Sequence, residues 1–299
     1  MGETIKKIAC MALIIVGLPL VITLLFQGSK IIPEYEELST EDNSRQDEDL
    51  LAVFVGILAQ QMPADYEEEA LKAQAILVRT NYEYALAQGQ PADQGLDTLQ
   101  LQEMFGRENY ADYYEKLKSC LQQTDGLILT YQGNLVDCPF SAVSAGYTRG
   151  AQGGQEYLKS VESKCDVRSE DYLKVIFYEK GDFIRLVQQN YPEAELAEDT
   201  LMEQIVIEER EDSGYVKTIC LGNLSLDGEA FRNACGWNSA AFYIKEVDGK
   251  IRVVTKGLGH GYGMSCFGAN EMAKEGKSAE EILSYYFSGM ELTTLQGNN

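Results

Sequence analysis

The stretch "GLGHGYGMSCFGANEMAKEG", residues 257–276, places a glycine-rich loop directly before a segment with helical character. Five glycines fall within its first 12 residues, and His260, the only histidine of the chain, lies among them. Glycine adopts backbone angles that other residues avoid and lets a ligand approach the main chain. Backbone N–H groups at a helix start can bind an anion or a polar group. The stretch therefore predicts a binding loop, with a tight turn around a hydrogen-bonded histidine as the structural alternative.

The segments around this loop predict an α+β fold. Two helices are expected after it, over residues 264–276 and 278–289, where Gly276 can end the first and Ser278 can cap the second. A strand is expected at residues 171–180. Three hairpins are expected in the middle of the chain, with turns at Gln132–Asn134, Asp212–Gly214 and Asp248–Gly249. Antiparallel hairpins between helices at both ends favour one α+β domain over a wound parallel sheet.

The N-terminal half predicts mainly helices. The stretch "ILAQQMPADYEEEALKAQAILVRT", residues 57–80, is interpreted as the end of a strand or loop that runs into a charged helix. Residues 66–88 have helical spacing, and residues 98–123 predict two shorter helices. Three consecutive glutamates, 67–69, fall in the first helical turn, where the helix dipole favours carboxylates.

The first 50 residues have a different composition. Residues 8–26 form a run of 19 residues without a charge, close to the roughly 20 that cross a bilayer core. Two lysines precede the run, which by the positive-inside rule leaves a short tail in the cytoplasm. The prediction is a single-pass cell-membrane protein, with a cleaved signal peptide as the alternative. Its parts are the tail and transmembrane anchor (1–27), an acidic tether (28–47) and an extracytoplasmic globular domain (48–299).

Charge and cysteine content exclude several classes of function. With 47 acidic and 25 basic residues, the net charge of −22 argues against a nucleic-acid partner. The six cysteines outside the apolar run are scattered without a CxxC pair. They can form disulfides in an oxidising compartment, but their spacing indicates no pairing. One histidine and no close cysteine pair do not make a zinc site, so we expect no metal and no cofactor.

Several segments resemble the stage II sporulation protein D family, which includes the amidase enhancer. "GHGYGMSCFGANEMAKEGKSAEEILSYYFSG" resembles its C-terminal signature GxGxGHGxGMSQxGAxxMAxxGxxxxxILxxYYxG. The stretch 57–80 resembles the N-terminal signature AAEMPxxFxxEALKAQAxAART. "PFSAVSAGYTR" and "EYLKSVES" resemble FHSTSGGxT and PYLKxV, and "DGEAFRNACG" resembles a further short segment. The matches extend over about residues 50–290, and the chain is identified as a member of this family.

The resemblance implies action on peptidoglycan. Members of the family are lytic transglycosylases that cut the bond between N-acetylmuramic acid and N-acetylglucosamine. They prefer denuded glycan strands, from which a partner amidase has removed the peptides. They work from a membrane anchor during engulfment in sporulation. Glycan strands, an amidase and other engulfment membrane proteins are therefore the implied partners.

The position of the family's catalytic glutamate, in AAEMP, is occupied here by Gln61. The reaction needs a carboxyl group that first protonates the leaving oxygen and then helps the muramyl 6-hydroxyl to attack. An amide cannot supply that proton. Because general acid–base catalysis contributes roughly 10²–10⁴ in rate, we expect a large loss. Glu69 aligns with a glutamate that the family also has, so it is not a replacement.

Other matched positions keep the family's residue types. The substrate-binding residues implied by the resemblance are Arg79, Tyr157, Lys159, His260, Gly261, Gly263 and Ser265. Cations suit the muramyl carboxylate, tyrosine can stack on a sugar, and histidine can bind hydroxyls or tune an acid. The structural alternatives are an ion pair for Arg79 with a helix glutamate and a core position for Tyr157. Ser141 occupies a position where the family often has a histidine, and this difference is a further argument against a metal site.

Two functions stay open at this point. The first is an active lytic transglycosylase, which needs a substitute acid. The second is a catalytically impaired member that binds denuded glycan or activates an amidase partner. A hydrolase that uses Cys266 and His260 is disfavoured, because no third group that would activate the pair is evident.

Overall fold

A computed structural model describes residues 38–151 and 155–295, and Leu51–Asn299 form one compact unit. The α-helices are α1 (Leu38–Gln61), α2 (Glu68–Ala87), α3 (Thr98–Gln123), α4 (Lys180–Asn190), α5 (Leu201–Gln204), α6 (Gly228–Ala234), α7 (Cys266–Lys274) and α8 (Ala279–Tyr286). The strands are β1 (Leu127–Tyr131), β2 (Asn134–Leu135), β3 (Phe140–Ser141), β4 (Leu173–Tyr178), β5 (Ile205–Arg210), β6 (Val216–Leu221), β7 (Leu224–Asp227), β8 (Phe242–Val247), β9 (Lys250–Lys256), β10 (Met264–Ser265) and β11 (Glu291–Thr294). Short 3₁₀ helices occupy Lys164–Arg168, Glu170–Tyr172 and Glu198–Thr200.

The predicted location in the cell membrane is corrected by the structure. Across residues 38–151 and 155–295, no helix is both long enough and apolar enough to cross a bilayer. The expected anchor, residues 8–26, and most of the expected tether lie outside the described residues.

The segment before Pro63 is a helix and not the predicted strand or loop. Helix α1 begins at Leu38, within the segment predicted as a tether, and continues to Gln61. Phe54, Val55 and Leu58 are buried near its end. A short apolar run has no clear period, so its pattern does not separate a buried helix from a buried strand.

Helix α2 is the centre of the helical part of the fold. Ten consecutive or near-consecutive residues between Ala70 and Thr80 are buried. The helix contacts α3, α7, α8 and strand β1. Strand β1 pairs with β2 on one side and with the C-terminal strand β11 on the other. The predicted pair of helices at residues 98–123 is one element interrupted at Gly106, whose backbone is not helical (φ 71°).

Besides the buried residues around α2, a second hydrophobic core lies between two antiparallel sheets. Their strand orders are β4-β9-β8 and β5-β6-β7. The ring of Trp237 lies 5.2 Å from that of Phe231 and 5.1 Å from that of Phe242, measured between centroids. Its indole N–H donates to the Tyr178 hydroxyl at 3.0 Å. This aromatic packing fixes β9, the strand from which the glycine-rich loop leaves.

The predicted hairpins and the α+β class are confirmed. Strands β8 and β9 pair up to Val247↔Lys250, so Asp248 and Gly249 form a two-residue turn with φ values of 52° and 78°. Positive φ at both positions matches the twist of antiparallel strands. Among the pairings that were not predicted, β3 and β10 are parallel, with Met264 opposite Phe140. It joins the middle of the chain to the glycine-rich loop.

Candidate functional site

The glycine-rich loop connects β9 to β10 and has a left-handed backbone at every second residue. The φ values are 80° at Gly257, 113° at Gly259, 83° at Gly261 and 70° at Gly263. A Cβ at Gly261 would overlap the side chain of Tyr215, and one at Gly263 would overlap the backbone of Pro139. Both the backbone angles and the close packing therefore require glycine.

His260 is fixed by hydrogen bonds to one ring nitrogen. Its Nδ1 accepts from the Tyr262 N–H at 3.1 Å and lies 3.4 Å from the Ser141 hydroxyl, which itself accepts from the Gly261 N–H at 2.8 Å. A backbone donor at Nδ1 selects the neutral ring with its proton on Nε2. Burial lowers the pKa of His260, and the nearby carboxylate of Glu229 opposes that shift.

A buried arginine supports the same loop. Arg149 Nε donates to Glu211 at 3.0 Å, and its Nη1 donates to Glu229 at 3.1 Å and to the His260 carbonyl at 3.3 Å. The guanidinium lies 4.4 Å from the ring centroid of Tyr262. Sequence reasoning did not single out Arg149, because its partners come from segments that are distant in the chain.

Ser265 caps the helix that follows the loop. Its hydroxyl accepts from the Gly268 N–H at 3.2 Å, and the residue is fully buried. A Cβ at Gly268 would overlap the side chains of Tyr286 and Ser163. Ser265 therefore positions helix α7 and does not present its hydroxyl to solvent.

Gln61 ends helix α1 and lies against helices α2 and α7. Its side-chain oxygen accepts from Gln74 Nε2 at 2.7 Å. The Cys266 thiol lies 3.8 Å from the Gln61 carbonyl oxygen and 4.0 Å from the Gln74 side-chain oxygen. The two end motifs of the sequence, 205 residues apart, thus meet at this point.

The thiol beside Gln61 is unreactive in this setting. Cys266 is buried, and burial raises its pKa to about 12. A nucleophilic cysteine needs a lowered pKa, so the thiol stays protonated at neutral pH. All six cysteines within the described residues are free thiols.

The glutamates that follow Gln61 have structural partners. Glu69 accepts from Lys72 Nζ at 2.8 Å and from the Ala279 N–H at 2.8 Å. The bond from Lys72 is the main cause of its lowered pKa. The backbone N–H of Glu67 donates to Asn270 at 2.8 Å. These bonds hold the start of α2 against α7 and α8, and they give Glu69 no role as an acid.

Arg79 lies in the core, away from any open surface. It is 4% exposed, and its guanidinium donates to the carbonyls of Thr124 at 2.7 Å, Leu121 at 3.1 Å and Leu127 at 3.2 Å. The contact with the exposed Asp125 is longer, at 3.7 Å. Arg79 therefore satisfies the free carbonyls at the end of α3 and tethers that end to α2.

Tyr157 and Lys159 differ sharply in exposure. Tyr157 is buried, its hydroxyl donates to the Asp137 carbonyl at 2.9 Å, and burial raises its pKa to about 12. Its ring packs against Tyr131 with centroids 5.4 Å apart. Lys159 is exposed, and within residues 48–151 and 155–295 its ammonium forms no ion pair. Of the two, Lys159 is the one placed to touch a large substrate directly.

Asp137 is a candidate acid that the sequence alone did not indicate. The residue is exposed, and its backbone carbonyl accepts a hydrogen bond from the Tyr157 hydroxyl at 2.9 Å. Burial raises the pKa of its carboxyl. A carboxyl that keeps its proton to higher pH is what a general acid requires. The signal in the sequence was only an acidic residue beside the "PFSAVSAGYTR" segment.

A shallow depression adjoins the loop on the side of His260. Its lining includes Phe140, Ser141, Arg232, Asn233, Asn238 and Gly259. Amide and guanidinium groups beside an aromatic ring and exposed backbone suit a ligand rich in hydroxyl and acetamido groups. The geometry thus provides a polar binding surface but no carboxyl group at position 61.

Comparison with known proteins gives consistent matches. A family model described as "Stage II sporulation protein" matches residues 44–131. Stage II sporulation protein D of Bacillus amyloliquefaciens is 32% identical over 279 residues, which cover 88% of this chain and 78% of that protein. The protein of the same name from Bacillus subtilis is 31% identical over 280 residues, with the same coverage. The amidase enhancer of Bacillus subtilis is 23% identical over 294 residues, covering 80% of this chain and 40% of that protein.

Proposed function

Because this chain belongs to the stage II sporulation protein D family, we propose that it binds denuded peptidoglycan glycan strands but does not cleave them by the family's glutamate route. The observation that carries the proposal is the amide at position 61. Gln61 is held by Gln74 at 2.7 Å, and no carboxylate among the described residues hydrogen-bonds to its side chain. An amide in that place cannot protonate the glycosidic oxygen.

The retained surroundings support binding. The polar depression beside the loop, the exposed Lys159 and the neutral His260 offer donors to sugar hydroxyls and to the muramyl carboxylate. Loss of one catalytic group removes a chemical step without removing these contacts. A binding surface can therefore be retained after the catalytic acid has been lost.

The Gln61→Glu variant tests the proposal. Full-length protein and variant are incubated with purified denuded glycan strands, and 1,6-anhydromuramyl ends are measured by mass spectrometry. We expect both proteins to retain strands in a pull-down and only Gln61→Glu to form product, with a gain of roughly 10²–10⁴ in rate. Gln74 Nε2 is already placed to donate to the new carboxylate.

Two outcomes would decide against it. Product from the unmodified protein at a rate near that of the variant shows that the missing glutamate is not limiting. Failure of both proteins to retain glycan removes the binding assignment itself. Gln60→Glu, at an exposed position next to Gln61, serves as the matched control, and we expect no product from it.

An active transglycosylase is the second candidate, and Asp137 is the observation that favours it. Burial raises the pKa of its carboxyl, and its backbone carbonyl accepts from the hydroxyl of Tyr157, a residue that the family resemblance selects. If the unmodified protein cleaves glycan, Asp137→Asn is expected to remove that activity, while Asp125→Asn, at an exposed position, retains it. Cleavage that persists in Asp137→Asn excludes Asp137 as the acid.

The second role that we propose for this protein, besides glycan binding, is activation of an amidase. A relative over 80% of this chain is named an amidase enhancer. A protein that holds denuded strands without cutting them keeps the product of an amidase close to that enzyme. Measuring the rate of peptide release by a purified amidase, with and without this protein, tests the role directly.

A further inference from the structure

One face of the sheet β4-β9-β8 is apolar although it faces solvent. Side chains alternate along β4, and the outward ones are Leu173, Val175 and Phe177, which are 54%, 46% and 55% exposed. The intervening residues Ile176 and Tyr178 pack into the second core. A strand with one face in the core usually has polar side chains on its other face, whereas β4 is apolar on both faces.

The neighbouring strands add cations to this outer face. Register places Val254 opposite Val175, Arg252 opposite Phe177 and Lys256 opposite Leu173. Strand β8 continues the face with Tyr243 opposite Val254 and Lys245 opposite Arg252. Together, Tyr243, Lys245, Arg252, Val254 and Lys256 line a shallow depression. We call these eight outward residues of the three strands the outer face.

The cations of the outer face have no carboxylate partners. No ion pair is formed by Lys245, Arg252 or Lys256 within residues 48–151 and 155–295, and Arg252 Nε is buried without a hydrogen-bond partner there. Lys256 instead lies 5.2 Å from the Tyr243 ring, and Arg210 lies 4.4 Å from the same ring. In a chain of net charge −22, a group of cations that lies around one aromatic ring and not beside carboxylates is unusual.

From this combination we propose that the outer face is a docking surface for an acidic protein segment that carries apolar side chains. Carboxylates of the partner pair with Lys245, Arg252 and Lys256, and its apolar residues cover Val175 and Phe177. Burial of apolar area supplies affinity, and the charges supply register and the association rate. Within the described residues β4 pairs only with β9, so an extended segment can also add along its free edge.

The chemistry of the face favours protein over other anionic polymers. The net charge of −22 repels every polyanion, so the apolar side chains of the face must select the partner. Phe177 and Tyr243 offer aromatic rings on which a sugar could also stack. Leu173, Val175 and Val254, however, are aliphatic and suit apolar side chains of a polypeptide better. The outer face also consists of different residues from the glycan-binding surface beside His260.

A fluorescent random copolymer of glutamate and tyrosine is the probe, since it combines acidic and apolar groups. Binding to the full-length protein is followed by fluorescence anisotropy at low and high salt, alongside polyglutamate and denuded glycan strands. We expect the copolymer to bind more tightly than polyglutamate and to weaken with salt. The double variants Lys245→Glu/Arg252→Glu and Val175→Ser/Phe177→Ser should each reduce its affinity at least about tenfold.

Matched variants elsewhere control for charge and hydrophobicity. Lys274→Glu/Lys277→Glu makes the same charge change on the C-terminal helices, and Leu99→Ser/Met104→Ser removes exposed apolar groups from α3. Both controls should bind the copolymer within about twofold of the wild type. The proposal is overturned if the copolymer does not bind, if the controls weaken binding equally, or if polyglutamate binds as tightly. It is also overturned if glycan strands, and not the copolymer, lose affinity in the outer-face variants.

Discussion

At the scale of single residues, Gln61 differs from a catalytic glutamate only in its amide group, which replaces the carboxyl group. The amide accepts a hydrogen bond from Gln74 as a carboxylate would, so the surrounding packing is compatible with either side chain. Under the proposed function, a change at position 61 alters the chemistry while changing little in the structure. This is why the Gln61→Glu experiment separates binding from cleavage.

The single histidine gives the protein a simple pH response. Burial lowers the pKa of His260, so the unfolded chain binds a proton that the folded chain does not. Stability therefore rises with pH through the window that lies below the ordinary value of 6.5, and it is lost as pH falls through that window. We expect the thermal midpoint to drop more between pH 7.5 and 5.5 in the wild type than in His260→Asn.

Differential scanning calorimetry of both proteins measures this difference. The asparagine can still accept from the Tyr262 N–H, so the loop keeps that bond. Carboxyl groups are the same in both proteins, and subtracting the two curves isolates the histidine. Identical pH curves would contradict a neutral, buried His260.

At the scale of elements, Arg79 acts as a clamp on the end of helix α3. Replacing it by methionine keeps the volume of the side chain but leaves three carbonyls without their donor. We expect the free energy of unfolding to fall by about 3 kcal/mol, since a hydrogen bond from a charged group contributes about 1.5–3 kcal/mol and the carbonyls of Thr124 and Leu121 each keep a second donor. Urea denaturation measures the change.

Asp125→Ala is the control for Arg79→Met. Asp125 is 88% exposed and 3.7 Å from the guanidinium, so its loss should change stability by less than about 1 kcal/mol. A variant Arg79→Met that stays as stable as the wild type but no longer binds glycan would instead support the binding role that the family resemblance implied.

The elements differ in how far the sequence predicts them. The turn at Asp248–Gly249 follows from local chemistry, because both residues tolerate positive φ, and the prediction is correct. The end of α1 was predicted as a strand or loop, because an apolar run buried on all sides has no diagnostic period. The clamp at Arg79 and the position of Asp137 depend on contacts between distant segments. No local pattern contains that information.

At the scale of the whole molecule, the −22 net charge dominates the electrostatics. The ion pairs on the surface are mostly exposed and contribute little each, whereas repulsion among the excess carboxylates acts throughout. Added salt screens both the attraction within the ion pairs and the repulsion among the excess carboxylates. We therefore expect the thermal midpoint to rise when sodium chloride is increased from about 0.05 to 0.5 M, where the Debye length falls well below 10 Å. A fall would show that the ion pairs outweigh the repulsion.

The meeting of Gln61 with Cys266 also has a consequence for biosynthesis. The ribosome makes position 61 long before position 266, and synthesis proceeds at about 5–20 residues per second, so roughly 10–40 s separate the two. During that interval helix α2 lacks the partners α7 and α8 that cover it in the finished protein. The nascent chain therefore carries its N-terminal motif before the helices that pack against Gln61 exist. A chain that terminates before residue 266 cannot form the contact between Gln61 and Cys266.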